Sequence, residues 1–144
     1  MSSQVERIET DEYDEQFAMP YAGARKVRGG NTVYLAGVTA APMYHSHPHV
    51  AAEFDDIPLD PAAQARAAME NVGRILEASG GMFTDVVQAT YYMVDMASNQ
   101  DAVYPVIQAF YAGHRPATTT VEVTRLATDP RLILEVAAIA VVDD

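Results

Sequence analysis

Between Leu132 and Val142 the chain reads LILEVAAIAVV, apolar at nearly every position. Taken as a strand, it points Leu132, Leu134, Val136, Ala138 and Ala140 one way and Ile133, Ala137, Ile139 and Val141 the other, so both faces need cover. Such a strand belongs inside a sheet. Its one exception is Glu135, between Ile133 and Ala137. An unpaired buried charge costs roughly several kcal/mol, so this carboxylate must be paired, protonated or open to a cleft. Just upstream, RPATTTVEV alternates: Thr119, Val121, Val123 and Arg125 share one face, and Thr118, Thr120, Glu122 and Leu126 the other. That is a strand with one polar face, joined to the apolar one through a turn at Thr128-Asp129-Pro130.

Composition narrows the partners. The 144 residues are 49% hydrophobic, enough for one domain over residues 1–144 with a real core. Nine basic against 20 acidic residues give a net charge of −11, which opposes nucleic acid and anionic membrane surfaces alike. There is no cysteine, hence no disulfide, thiolate nucleophile or cysteine-ligated zinc. The start, MSSQVERIETDEYDE, lacks the layout of a signal peptide, and no apolar run approaches the roughly 20 residues that span a bilayer, so a cytoplasmic protein is expected.

Taken in order, residues 1–16 read as an acidic N-terminal edge strand (Val5 to Ile8) and loop. Ala24 to Arg28 and Thr32 to Val38 flank Gly29-Gly30-Asn31, the chemistry of a tight hairpin, and predict two antiparallel strands. Gly37, inside the second, marks a bulge or a close approach to the backbone. Residues 39–60 form a proline-punctuated loop with His45, His47 and His49. Imidazoles at this spacing share a side if the segment is extended, and their chemistry permits a metal. No carboxylate lies at a metal-site spacing and Pro48 opposes a regular strand, so the expectation is a solvated or cleft-lining loop with no metal.

Asp60-Pro61 starts a helix as N-cap and first helical residue, Ala65, Ala68, Met69, Val72, Ile75 and Leu76 supply its apolar stripe, and Gly80-Gly81 ends it. Val86 to Met96 reads as a strand. Ser98 and Asp101 resemble a capping box for a second helix with Val103, Val106, Ile107 and Phe110 inward, which Pro105 would start late or kink. Two helices on one face of a mixed sheet make an α+β sandwich. The other sheet face stays bare in one copy, and subunit association is its natural cover.

These residues resemble the Rid (reactive intermediate deaminase) or YjgF-type family, also called endoribonuclease L-PSP, over about residues 19–142. The resemblance rests on PAxxxVEVxRL at Pro116 to Leu126 with the LEVAAIAVV strand after it. Pro20-Tyr21, the glycine-bearing second strand, AQARxxxENVxxILEAxG from Ala63 to Gly80 and the strand after TDVV add to it. It implies a chorismate-mutase-like homotrimer with small-molecule clefts between subunits and no cofactor. Members that hydrolyse imines and enamines carry an arginine just after Pro-Ala that grips a substrate carboxylate. Here that position is Thr118, and the position of the family's asparagine on the second helix is Tyr104. Glu135 matches the family's glutamate, while Tyr21, Gly37 and Thr120 fall where cleft-lining groups belong. Glu135 and Thr120 are the catalytic candidates, with Thr118, Tyr21, Gly37 and Tyr104 for binding and Arg115 or His114 as replacements for the lost cation. The residues alone leave Glu135 open between a structural ion pair with an arginine and a carboxylate that orients water. The resemblance implies an imine or enamine deaminase acting on something other than the usual 2-iminoacids, or a non-catalytic binding homologue serving as sensor or pathway auxiliary. Ribonuclease action, which the second family name suggests, is opposed by the charge.

Overall fold

The computed structural model describes residues 2–143. The doubly apolar run becomes β6 (Leu134–Val142), which lies between β3 (Asn31–Tyr34) and β4 (Val86–Val94) and pairs antiparallel with both. β4 pairs in parallel with β5 (Ala117–Val123), giving a mixed sheet ordered β3-β6-β4-β5. The parallel pair requires a crossover, supplied by α2 (Met96–Tyr111), and α1 (Pro61–Ala78) packs beside it. A two-stranded antiparallel ribbon of β1 (Gln4–Ile8) and β2 (Ala24–Arg28) completes the α+β fold.

The register decides what the helices cover. Leu134, Val136, Ala138 and Ala140 of β6 sit beside Ala89, Tyr91 and Met93 of β4, and against them lie Met69 and Val72 of α1 and Val103 and Ile107 of α2. The leucine, valine, isoleucine and methionine side chains among them, fully buried, contribute about 1.5–3 kcal/mol each. The opposite face carries Glu135, Ala137 and Ile139, all partly exposed, with Val121 39% and Tyr34 76% exposed. One chain therefore covers one face of its central strand.

Three details differ from the sequence expectation. Gly29 and Gly30 do turn the chain with φ of 68° and 74°, but the flanking strands pair elsewhere: β2 with β1 (Val27 opposite Val5) and β3 with β6 (Thr32 opposite Val141). Gly30 is wedged so closely that a Cβ would lie 2.8 Å from both Ser3 Cβ and Val141 Cγ1. β3 is regular only to Tyr34; Leu35 N–H still donates to Ala138 O, and Val38 exchanges two 2.8 Å bonds with Val136. The second helix starts at Met96, not near Ser98, after Asp95 in a left-handed conformation, and it runs through Pro105 to Tyr111. Its first N–H, on Met96, is accepted at 2.9 Å by Glu122 Oε2 on β5, so the cap comes from another strand.

The 39–60 loop is tied down by buried amides. Asn71 Nδ2 donates to the carbonyls of Thr39 and Ala41, and a second small core of Ala41, Phe54, Ile57, Leu126 and Leu132 lies beneath the loop. Gln64, fully buried on α1, donates from Nε2 to Pro58 O at 2.9 Å and Arg131 O at 3.1 Å, while its Oε1 accepts from Ile133 N at 2.6 Å. It joins loop, helix and the entry to β6. Gln64→Leu keeps the volume but leaves three backbone groups without this partner, so we expect a stability loss of about 1–3 kcal/mol in urea unfolding. A loss under about 0.5 kcal/mol would mean that the backbone groups find other partners.

Candidate functional site

β5 presents Thr118 and Thr120 on the helix side of the sheet, beside Ala89 and Tyr91 of β4. The segment before β2 is pinned to the start of β5: Ala22 N–H donates to Pro116 O at 3.2 Å, and Arg25 donates from Nε and Nη2 to Arg115 O at 2.9 and 2.5 Å. This docking sets Tyr21 over a cavity of about 430 Å³ that Thr118, Thr120, Tyr91, Tyr104, Tyr111 and Ile107 also line. Tyr91 and Tyr111, which the sequence reading did not single out, form its floor. The Tyr91 hydroxyl donates to that of Tyr111 at 3.1 Å, and burial pushes both phenols up, so both stay neutral. Tyr91 was legible in the alternation of β4, where Tyr91 and Tyr92 must face opposite ways, and Tyr111 in the helical spacing that carries on from Val103 and Ile107. Among the described residues, the hydroxyls of Thr118 and Thr120 make no hydrogen bond and are free to meet a ligand.

A smaller cavity of about 270 Å³ adjoins the first, sharing Pro20, Gln108 and Tyr111 and adding His114 and Arg115. His114 donates from Nε2 to Val86 O at 2.7 Å, and burial lowers its pKa, so the ring is committed and neutral. The Arg115 guanidinium, by contrast, has no hydrogen bond or ion pair among the described residues.

Glu135 lies elsewhere. It pairs with Tyr92 on β4, and Tyr92 with Val121 on β5, so it belongs to the face opposite Tyr91, Thr118 and Thr120. The interruption of the ladder after Leu35 sets Gly37 against its side chain: a Cβ there would lie 2.9 Å from Glu135 Cδ and 3.0 Å from Oε2. Any larger residue here would have to push the carboxylate aside. No arginine or other partner reaches the carboxylate among the described residues, so it forms no ion pair within one chain. It opens instead on a cleft of about 250 Å³ with Gly37, Thr39, Tyr44, His45 and Thr128. Within one chain the candidates thus fall into two groups. Tyr21, Tyr104, Thr118 and Thr120, with Arg115 next door, lie on the helix side; Gly37 and Glu135 lie on the bare side, two strand spacings or about 10 Å across the sheet.

The 39–60 loop is in part solvated and in part lines the Glu135 cleft, as expected, and it adds one feature that the spacing alone does not give. His45, His47 and His49 converge, and one ligating atom from each lies within 4.8 Å of the others.

The model of the family described as endoribonuclease L-PSP matches residues 15–142. The 2-iminobutanoate/2-iminopropanoate deaminase of Escherichia coli K12 is 38% identical over 87 residues, 58% of this chain and 67% of that protein. A RutC family protein of Pyrococcus horikoshii is 33% identical over 132 residues, covering 84% and 86% of the two chains. Among solved structures, a Rid family protein of unknown function from Yersinia pestis superposes with a TM-score of 0.74 at 27% identity, over 99% of this chain and 100% of that one. Its helices packed on one face of a mixed sheet, and a family match running from Glu15 through β6, place this chain in the Rid/YjgF family of endoribonuclease L-PSP proteins.

Proposed function

We propose that this protein is a hydrolytic deaminase of a small imine or enamine other than the usual 2-iminoacids, working as a homotrimer in the cytoplasm. The observation that carries the reading is Glu135: an unpaired carboxylate over Gly37, in a cleft, on a chain similar to a 2-iminobutanoate/2-iminopropanoate deaminase. Imine hydrolysis asks little of a protein. Water adds its oxygen to the C=N carbon, a proton passes to nitrogen, and collapse of the carbinolamine releases ammonia and a carbonyl compound. A carboxylate that takes the water proton and returns it to nitrogen serves both steps.

The division of the candidates between two sheet faces favours a site shared between subunits. A neighbouring copy laid on the bare face would bring its Thr118 cavity to the Gly37–Glu135 cleft, and would cover Ile139, Val121 and Tyr34. The second reading, a binding homologue without hydrolysis, draws on Thr118: a neutral hydroxyl stands where carboxylate-gripping members have arginine.

Light scattering in dilute buffer should give three times 15.6 kDa. A stable monomer at micromolar concentration would remove the trimer and any site shared across it. Glu135→Gln should fold and assemble but lose about 10²-fold or more of the hydrolytic activity, as expected when a general acid–base group is removed. Activity within about twofold of wild type would make the carboxylate a bystander.

Thr118 is the sharper test. A charge-assisted bidentate contact to a carboxylate is worth about 1.5–3 kcal/mol, or one to two powers of ten in binding. Wild type should therefore release ammonia poorly from 2-iminopropionate generated in situ by an amino-acid oxidase, and Thr118→Arg should improve it by about that factor. A wild type as active as an arginine-bearing relative, and crippled by Arg115→Ala, would show that the neighbouring guanidinium is already the anchor. A trimeric Thr118→Arg variant that stays inert on every imine offered favours the binding homologue.

A further inference from the structure

We propose that His45, His47 and His49 form a binding site for a divalent transition-metal ion of the zinc type, one per chain, at the rim of the Glu135 cleft. The rings approach with centroids 4.8, 4.9 and 5.2 Å apart, each tilted or edge-on to the next. Their ligating nitrogens already lie within 4.8 Å of one another. A tetrahedral ion with bonds of about 2.0–2.1 Å needs them about 3.4 Å apart. Small side-chain rotations close that gap, and His47 and His49 are exposed, so no core atom need move. Neutral imidazole is a good ligand for zinc, cobalt, nickel and copper, and three of them leave one position of a tetrahedron open.

The loop has the second layer that such a site requires. His45 Nδ1 lies 2.9 Å from Pro42 O; a carbonyl only accepts, so Nδ1 carries the proton and Nε2 keeps its lone pair for an ion. Phe54, buried, sets its ring edge-on to His45 and His49 at 5.1 and 5.7 Å. The peptide between His45 and His47 is fixed by Glu53, which accepts from Ser46 N at 2.8 Å and Ser46 Oγ at 2.6 Å. Arg131 holds the following turn through Ala51 O at 2.9 Å. Most of the ordering of the ligand set is thus done before an ion arrives. Water satisfies exposed imidazoles singly and gives them no reason to meet. An ion does, and a chain of net charge −11 draws cations to it. His45 also lines the Gly37–Glu135 cleft, so the ion would sit at the rim of that cleft, whether or not the cleft deaminates anything.

The test uses the full chain, free of any affinity tag and stripped with a chelator. Zinc chloride is titrated calorimetrically and cobalt chloride is followed by its visible ligand-field bands. One ion per chain is expected, with tetrahedral cobalt bands. His47→Ala and His49→Ala, with unchanged circular dichroism, should each weaken zinc binding by more than the about 10–100-fold that loss of an outer-layer partner causes. Binding well below one ion per chain would overturn the site. So would an affinity that the double variant His47→Ala/His49→Ala leaves unchanged, since both rings are exposed and their loss spares the fold.

Discussion

The structure depends on β6 being hydrogen-bonded on both edges while only one of its faces is covered from within the chain. Its even residues, Leu134 to Ala140, fix the depth of both helices, and its odd residues set what the chain offers to the outside. Glu135 is tolerable at this place because the β3 edge breaks at Gly37, which opens the sheet beside the carboxylate rather than burying it. The same break lets the chain leave for the 39–60 loop. Bare face, open carboxylate and loop share one origin.

A second constraint keeps that loop in place. Arg131 forks onto Asp129 at 2.9 and 3.1 Å, reaches Asp55 at 2.9 Å and donates to Ala51 O, so one side chain joins the turn before β6 to the turn after the histidines. The Arg131 hydrogen bonds hold the Asp129 carboxyl below its ordinary range. Because the folded value is the lower one, this tie is intact above the ordinary aspartate range and is lost as pH falls through the folded pKa. Gln64 and Asn71 complete the anchoring from α1.

Much of this was legible in the sequence. β6, both helices, the Asp60 cap and the polar face of β5 follow from periodicity and cap chemistry, which are local. What escaped was set at long range. A diglycine turn says that the chain reverses but not which strands the two arms will join, and here Gly30 is squeezed between β6 and Ser3. The start of α2 went unread because its cap is Glu122, 26 residues downstream. The residue pattern and the family resemblance pick out Glu135 and Thr120 one by one, yet only the register shows them on opposite faces. The three histidines were visible as a spacing, but their convergence depends on Phe54 and Glu53, which no spacing encodes.

The Glu122 cap has a mechanical meaning. Because the first N–H of α2 is bonded to β5, the helix bearing Tyr104 and Ile107 and the strand bearing Thr118 and Thr120 are joined at one end of the cavity they enclose. At the other end the Ala22 and Arg25 contacts clamp the Tyr21 segment to Pro116 and Arg115. Walls tied at both ends keep their spacing. The width of the space between helix and strand is thus set by contacts outside the cavity, not by the side chains that line it.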